Sequence, residues 1–342
     1  LVAASAAGGW LMLVYPNERA AGAGRTIEIT LPTGVSARQV GELLASNAVI
    51  GNAQLWAFYA RLVGADRKLR AGVIRLQDNL TVSETIRRVT REARDAQVRI
   101  TIPEGLSRFE IARLFEQQAG VDSARFLEAT EEHRLLADLG IDAPNAEGYL
   151  FPDTYLFTNR EGAPEFVRRL VLTWRRRMTP LLQERATALM QLQNELGWGP
   201  FQVLTLASIV EKEAAVASER PIIAGVFLNR LLRPDFLPKR LQADPTVAYG
   251  CVALPQKAPS CASYVENHIT RAMLDDAANV YNTYRYEGLP PGPIANPGLD
   301  AMKAVLNPAK HEYLYFVANG AGRHRFSATI EAHNRAVHTP TR

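Results

Sequence analysis

Residues 100–115 read ITIPEGLSRFEIARLF, and residues 29–44 read ITLPTGVSARQVGELL. The two stretches lie 71 positions apart and agree at six of sixteen positions: Ile, Thr, Pro, Gly, Ser and Leu. Most other pairs keep their polarity, as Val40 does with Ile111. The alternation Thr-Ile-Glu-Ile-Thr ahead of the first proline is that of a half-buried strand. Pro and Gly then punctuate a turn. Ser107 followed by Glu110, and Ser36 followed by Gln39, supply capping boxes, in which each side chain takes a backbone N–H from the other residue. The predicted unit is strand, turn and helix, used twice. A second short helix is expected after each copy, in NAQLWAFYARLV (52–63) and SARFLEATEE (123–132).

After the first copy, AGVIRLQDNLTVSETIRRVTR (71–91) predicts a second strand and a helix capped by Thr81 and Glu84. Residues 25–96 thus make a small α+β module of strand, helix, helix, strand. It resembles a LysM-like module, a fold that typically binds glycan chains containing N-acetylglucosamine; a generic α+β packing unit has the same pattern.

The chain has 342 residues, enough for about two domains. With 47% hydrophobic and 22% charged residues, its composition is that of a globular protein. The net charge of +4 is a mild basic excess, and the longest basic run, Arg175–Arg177, reads as a solvated helix face. No zinc-finger spacing and no aromatic RNA-binding signature supports a nucleic-acid partner; an anionic polymer suits the charge equally well. The histidines (133, 268, 311, 324, 333 and 338) are scattered, and no His-Glu-x-x-His, Gly-x-Ser-x-Gly or P-loop pattern occurs. No metal or other cofactor is expected. Cys251 and Cys261 flank VALPQKAPS and would close a disulfide in an exported protein. Residues 1–24 read as a truncated membrane anchor and linker: Leu1–Tyr15 carries no charge and holds Trp10 and Tyr15, residues of an interfacial belt. The stretch is short of the ~20 apolar residues of a full span, and a signal-peptide remnant is the alternative.

The chemistry is sought in LASIVEKEAAVASER (206–220). At ~100° per residue, Leu206, Ile209, Val210, Ala214 and Ala217 share one helix face. Glu213 falls near that face and Glu211 well away from it, so Glu213 is expected to point inward and Glu211 to be solvated. An inward carboxyl has its charged form disfavoured, and a proton held near neutral pH is what a general acid requires. The bland alternative is a structural glutamate paired with Arg220.

Elsewhere, residues 116–200 read as mostly helical, with a basic amphipathic helix over 163–178. EGYLFPDTYLF (147–157) is either a strand pair at a cleft edge or core. LQADPTVAYG (241–250) has Asp-Pro turn chemistry beside Gln242 and Thr246. YNTYRYEGLPPGPIANPG (281–298) gathers tyrosines, Asn282 and prolines into one loop, and residues 313–334 read as a hairpin followed by a helix. Aromatic faces and amides held on stiff loops suit a carbohydrate.

Together, ASIVEKE (207–213), ASER (217–220), VFLNRL (226–231), LQADPTVAYG, YNTYRYEGLPPGPIANPG and YLYFVANG (313–320) resemble the YceG-like family, the endolytic murein transglycosylases, over residues 25–338. The resemblance implies an α+β fold with a LysM-like subdomain over 25–96 and a catalytic domain over 97–342. It implies a single-pass anchor in the inner membrane, with the catalytic domain in the periplasm. The substrate would be the glycan strands of peptidoglycan. The bond between N-acetylmuramic acid and N-acetylglucosamine would be cleaved without water to leave 1,6-anhydro ends, terminating strand elongation. Glu213, the second glutamate of EKE, would be the acid. Most glycosidases need two carboxylates; here the muramic 6-hydroxyl is an internal nucleophile of high effective concentration, and one carboxyl suffices. Gln242, Asn282, Tyr284, Thr246 and Tyr149 are the expected saccharide contacts, with Asp153 and Asp244 as reserve acids that read better as turn residues. Wall-synthesis polymerases or transpeptidases are the implied partners. The sequence departs from the family pattern over Cys251–Val280, a longer segment that bears the cysteines. A non-catalytic wall-binding scaffold and a water-using hydrolase of lysozyme type are the competing functions.

Overall fold

A computed structural model of the chain describes residues 2–32, 34–69, 72–91, 97–158, 161–254, 258–266, 268–320 and 322–338. It is a mixed α+β structure, 54% helical, whose strands form small two-stranded sheets. The chain divides into two compact units, Leu1–Arg99 with Leu156–Glu161, and Ile100–Tyr155 with Gly162–Arg342.

The first unit runs α1 (Val2–Leu13), β1 (Thr26–Leu31), α2 (Ala37–Ser46), α3 (Ala53–Leu62), β2 (Gly72–Gln77) and α4 (Val82–Arg91). β1 and β2 pair antiparallel with Ile29 opposite Ile74 and Ile27 opposite Leu76. The period-two alternation turns Ile29, Leu31, Ile74 and Leu76 inward, where they meet Val40, Leu44 and Trp56 in one core. The expected caps form. Ser36 Oγ accepts the Gln39 N–H at 3.3 Å while Gln39 returns a bond to Ser36 N, and Thr81 and Glu84 exchange the same pair at the start of α4. The strand, helix, helix, strand order read from the sequence is the observed one; residues 92–96, the end of the expected module, lie outside the described residues. Among the described residues no helix is long and apolar enough to cross a membrane.

β3 (Gln97–Thr101) pairs with β4 (Thr154–Thr158), and beside this pair the Ile102 N–H donates to the Asp153 carbonyl at 3.0 Å. The second unit continues through α5 (Arg108–Ala119), α6 (Ser123–Glu131), α7 (His133–Asp138), α8 (Ala163–Glu184), α9 (Ala186–Leu196), α10 (Pro200–Glu213), α11 (Arg220–Leu232), α12 (Asp244–Ala253), α13 (Arg271–Asp275) and α14 (Leu299–Leu306). It closes with the antiparallel hairpin β5 (Tyr315–Ala318) and β6 (His324–Ser327), then α15 (Ile330–His338), as the sequence predicts. α8 is longer than expected, running through Pro180 to Glu184. Asp244 opens a helix rather than a turn: Pro245 sits in the first turn of α12, where its missing N–H costs nothing.

α10 lies at the centre of this unit, packed against α11, α12 and α14. Every residue from Val203 to Val210 is buried. Its polar members are satisfied locally, Thr205 Oγ1 donating to the Phe201 carbonyl and Ser208 Oγ to that of Thr205. Ser208 Oγ also accepts the Ile294 N–H at 3.0 Å, which fixes the proline-rich loop to the helix.

Candidate active site

The glutamates of EKE sit in the last turn of α10, and the expected division between a solvated and an inward one does not hold. From Val203 to Val210 the helix is buried all round, so a face count on Leu206, Ile209 and Val210 has no solvent side to work with. It also ends at Glu213, with Ala214 already extended, so Ala217 is not on it. The Glu211 side chain is only 5% exposed and pairs with Arg220 at 2.6 Å. It also accepts the Gly298 N–H at 3.0 Å. Arg220 therefore belongs to Glu211, and more distantly to Glu104 at 3.5 Å, and does not pair with Glu213. The two glutamates are separated by their partners rather than by burial.

No hydrogen bond from a described residue ends on the Glu213 carboxyl, and the charged groups facing it are Asp244 and Arg230. Burial, reinforced by the like charge of Asp244, pushes its pKa up to about 7, with Arg230 acting in the opposite sense. Its place among the carbonyls at the helix C-terminus disfavours the carboxylate further. The residue keeps some contact with solvent although its carboxyl lies deep among protein atoms.

Facing this carboxyl are Asp244, Arg230 and Tyr284, and Gln242 follows Leu241, whose carbonyl Arg230 binds. The Tyr284 hydroxyl donates to Asp244 Oδ1 at 2.6 Å, and burial raises the Tyr284 pKa. Arg230, 5% exposed, donates through Nε to the Leu314 carbonyl at 2.7 Å and through Nη1 to that of Leu241. Gln242 is exposed and held at φ 52°, a left-handed conformation uncommon for a residue with a long side chain. Its N–H donates to the Thr283 carbonyl at 3.1 Å. Such backbone is kept only where its surroundings enforce it, and it gathers at functional sites.

The other expected contacts stand behind this group. Thr246 is buried, its Oγ1 2.7 Å from the Ala243 carbonyl and 2.8 Å from Thr283 Oγ1. Asn282 is fully buried, its Nδ2 about 3 Å from the carbonyls of Met273, Leu274 and Asp276 while Oδ1 accepts the Tyr284 N–H. Both hold the segments that carry Gln242 and Tyr284. Tyr149 packs edge-on against Trp174, with ring centroids 4.8 Å apart, and Asp153 pairs with Arg177 at 3.2 Å. Cys251 and Cys261 form a disulfide. It lies in a small apolar cluster with Val247, Ala258 and Met273, against which Tyr284 packs, so the cysteine-bearing segment supports a side chain of the site.

Sequence reasoning missed another buried carboxyl, that of Glu147. Glu147 accepts the Arg108 N–H at 3.0 Å, Asn296 Nδ2 at 2.8 Å and the Tyr249 hydroxyl at 3.0 Å. Burial lifts its pKa to about 7 in spite of those donors. It also missed Arg230. Both residues stood in quoted stretches, Glu147 at the head of EGYLFPDTYLF and Arg230 in VFLNRL, but neither is marked by spacing. Among the described residues no group of three or more His, Cys, Asp or Glu side chains is placed to hold a metal ion.

A model of the YceG-like family matches residues 29–339. The chain is 29% identical over 327 residues to an endolytic murein transglycosylase of Bacillus subtilis, covering 91% of this chain and 84% of that protein. It is 27% identical over 337 residues to one of Streptococcus pneumoniae, of which it spans 58%. A crystal structure of a YceG-like protein from Listeria monocytogenes superposes with a TM-score of 0.57 at 29% identity, covering 92% of this chain and 99% of that one.

Proposed function

This chain belongs to the YceG-like family, and on that footing we propose that it is an endolytic murein transglycosylase whose acid and base are the same residue, Glu213. The observation that carries the proposal is a carboxyl with no hydrogen-bond partner among the described residues, facing Arg230 and Asp244, and burial pushes its pKa up to about 7. A group that is half protonated near neutral pH can both give and take a proton. Glu213 protonates the glycosidic oxygen as its bond to the muramic anomeric carbon breaks. The 6-hydroxyl oxygen attacks that carbon, and its proton passes to the Glu213 carboxylate. No water enters, and the product carries a 1,6-anhydro end.

Gln242 and Tyr284 are proposed to touch the saccharide, and Asn282 and Thr246 to hold the segments that bear them. For Tyr149 we propose no more than packing. The first unit, with its strand, helix, helix, strand order, is proposed to act as a LysM-like glycan-binding module; an open cavity of about 490 Å3 beside Pro32, Gly34 and Val35 supports that use. Placement of the catalytic unit in the periplasm, tethered to the inner membrane, is a further proposal, and the Cys251–Cys261 disulfide suits an oxidising compartment. Wall-synthesis enzymes as partners, and a role in ending strand elongation, follow from the same family reading.

The test is digestion of purified glycan strands followed by mass spectrometry of the products. Internal cleavage with 1,6-anhydro ends is the expected outcome. Reducing ends alone would make the protein a hydrolase, and intact strands would make it a binding module.

A further inference from the structure

We propose that Arg230 is the positioning residue of this site: its guanidinium ties the Leu241 and Leu314 segments together and presents a positive charge to the Glu213 carboxyl. The inference rests on the assignment of Glu213 as the acid.

The geometry is that of a three-way tie. Arg230 projects from α11. Its Nη1 donates to the carbonyl of Leu241, the residue before the left-handed Gln242, and its Nε donates at 2.7 Å to the carbonyl of Leu314, the residue before β5. Four rings, those of Phe227, Phe236, Tyr315 and Phe316, lie 5.7–6.0 Å from the guanidinium carbon, at the outer limit of cation–π attraction. A buried charge set in such a frame is costly unless it meets an opposite one. The charged and titratable groups facing it are Glu213 from α10, Tyr284 from the proline-rich loop, Tyr315 from β5 and His333 from α15. Asp244 of α12 also faces Glu213, where its charge acts against that of Arg230. No direct ion pair joins Arg230 to Glu213. That separation matters, because a contact pair would hold the carboxyl ionised and leave it no proton to give.

Arg230 therefore works after the proton has left. Once Glu213 has protonated the glycosidic oxygen, a carboxylate stands beside Asp244, and Arg230 is a cation placed to stabilise it until the 6-hydroxyl proton arrives. The same guanidinium holds Gln242 in its strained conformation, coupling the charge to the placement of an exposed side chain.

The test is the pH profile of glycan cleavage in Arg230→Met and Arg230→Lys, with folding checked by circular dichroism. Arg230→Met is expected to lower kcat about a hundredfold and to move the alkaline limb of the profile upward by about one pH unit. Arg230→Lys keeps the charge but cannot span both carbonyls; it is expected to leave the limb in place and recover part of kcat. Equal losses in the two variants with an unmoved limb would overturn the proposal and leave Arg230 a structural residue. Should Arg230→Met not fold, Arg230→Lys decides: kcat lowered about tenfold with the limb unmoved supports the tie, and unchanged kcat overturns it. If the wild-type protein yields no anhydro ends, it is the transglycosylase reading that fails, a separate outcome.

Discussion

Gly34 and Gly105 hold the same place in the two strand–turn–helix copies, with φ of 71° and 81°. A Cβ on Gly34 would meet nothing within 4 Å, whereas one on Gly105 would lie 3.5 Å from Glu211 Cγ and 3.8 Å from Lys212 Cδ. The next matched residues diverge in the same way. Ser36 is exposed and Ser107 is buried, although both cap their helices with the same pair of bonds. At the first helical position the first copy has buried Ala37. The second has Arg108, whose N–H binds Glu147 and whose guanidinium pairs with Glu131 at 2.7 Å. In the first copy the turn borders an open cavity. In the second it is pinned to the Asn296 segment by Gly105 N–H on the Asn296 carbonyl and Asn296 N–H on the Leu106 carbonyl, both at 2.9 Å, while Lys212 Nζ reaches the Gly105 carbonyl at 3.2 Å. Matching local sequence makes matching local structure; the rest of the chain decides whether that structure supports the central helix α10 or stays at a surface.

The contrast can be broken most forcefully at Glu147, which has no counterpart in the first copy. Glu147→Ala leaves the Arg108 N–H, Asn296 Nδ2 and Tyr249 hydroxyl without their acceptor, and the expected loss is roughly 3 kcal/mol or more by denaturant titration. A loss under ~1 kcal/mol would mean the node is not structural. The pH dependence of stability is the next largest effect. The folded pKa of Glu147 is raised from 4.5 to about 7, so the folded state keeps a proton that the unfolded state releases. Stability is therefore expected to fall as pH rises from about 4.5 to 7 and to level off above, with Glu147 contributing roughly 2–3 kcal/mol of that fall. Glu147→Gln should remove this contribution; an unchanged slope would count against a buried neutral carboxyl.

Smaller effects sharpen the comparison. Gly34→Ala and Gly105→Ala should each cost about 1 kcal/mol, because both positions are left-handed, but only Gly105→Ala should slow cleavage of glycan in solution, because its strain falls on the turn that Lys212 and the Asn296 segment bind. Equal activities would show that the second copy does not support α10. Ser36→Ala and Ser107→Ala should each cost ~1 kcal/mol or less through the lost cap, with activity again lowered only for Ser107→Ala.

What was legible in the sequence was local. Ser36 with Gln39, Ser107 with Glu110 and Thr81 with Glu84 are bonds between residues three apart, and residue type at that spacing announces them. The hairpin at β5 and β6 and the βααβ order of the first unit followed from strand alternation and turn residues in the same way. Which of the EKE glutamates takes a partner was not legible: Arg220 was read as a candidate partner of Glu213 but closes on Glu211, nine residues back, and Gly298 reaches Glu211 from the far end of the proline-rich loop. Periodicity assumed one wet face, and a central helix has none. Asn282 read as a group free to bind a sugar because nothing local reveals that its amide faces three carbonyls from Met273, Leu274 and Asp276. Arg230 and Glu147 were invisible for the same reason, since their roles depend on carbonyls and donors gathered by tertiary packing.

Glu213 differs from Glu211 in having no hydrogen-bond partner among the described residues, and so holds its proton near neutral pH. The direct test is a carbon-13 titration of the glutamate side-chain carboxyls by NMR, with Glu213→Gln and Glu211→Gln used to assign the two signals. The account expects the signal lost in Glu213→Gln to titrate at about 7, and cleavage by that variant to fall by about two to four orders of magnitude. A Glu213 signal titrating near the ordinary glutamate value of about 4.3, or full cleavage by Glu213→Gln with activity lost in Glu211→Gln, would contradict it.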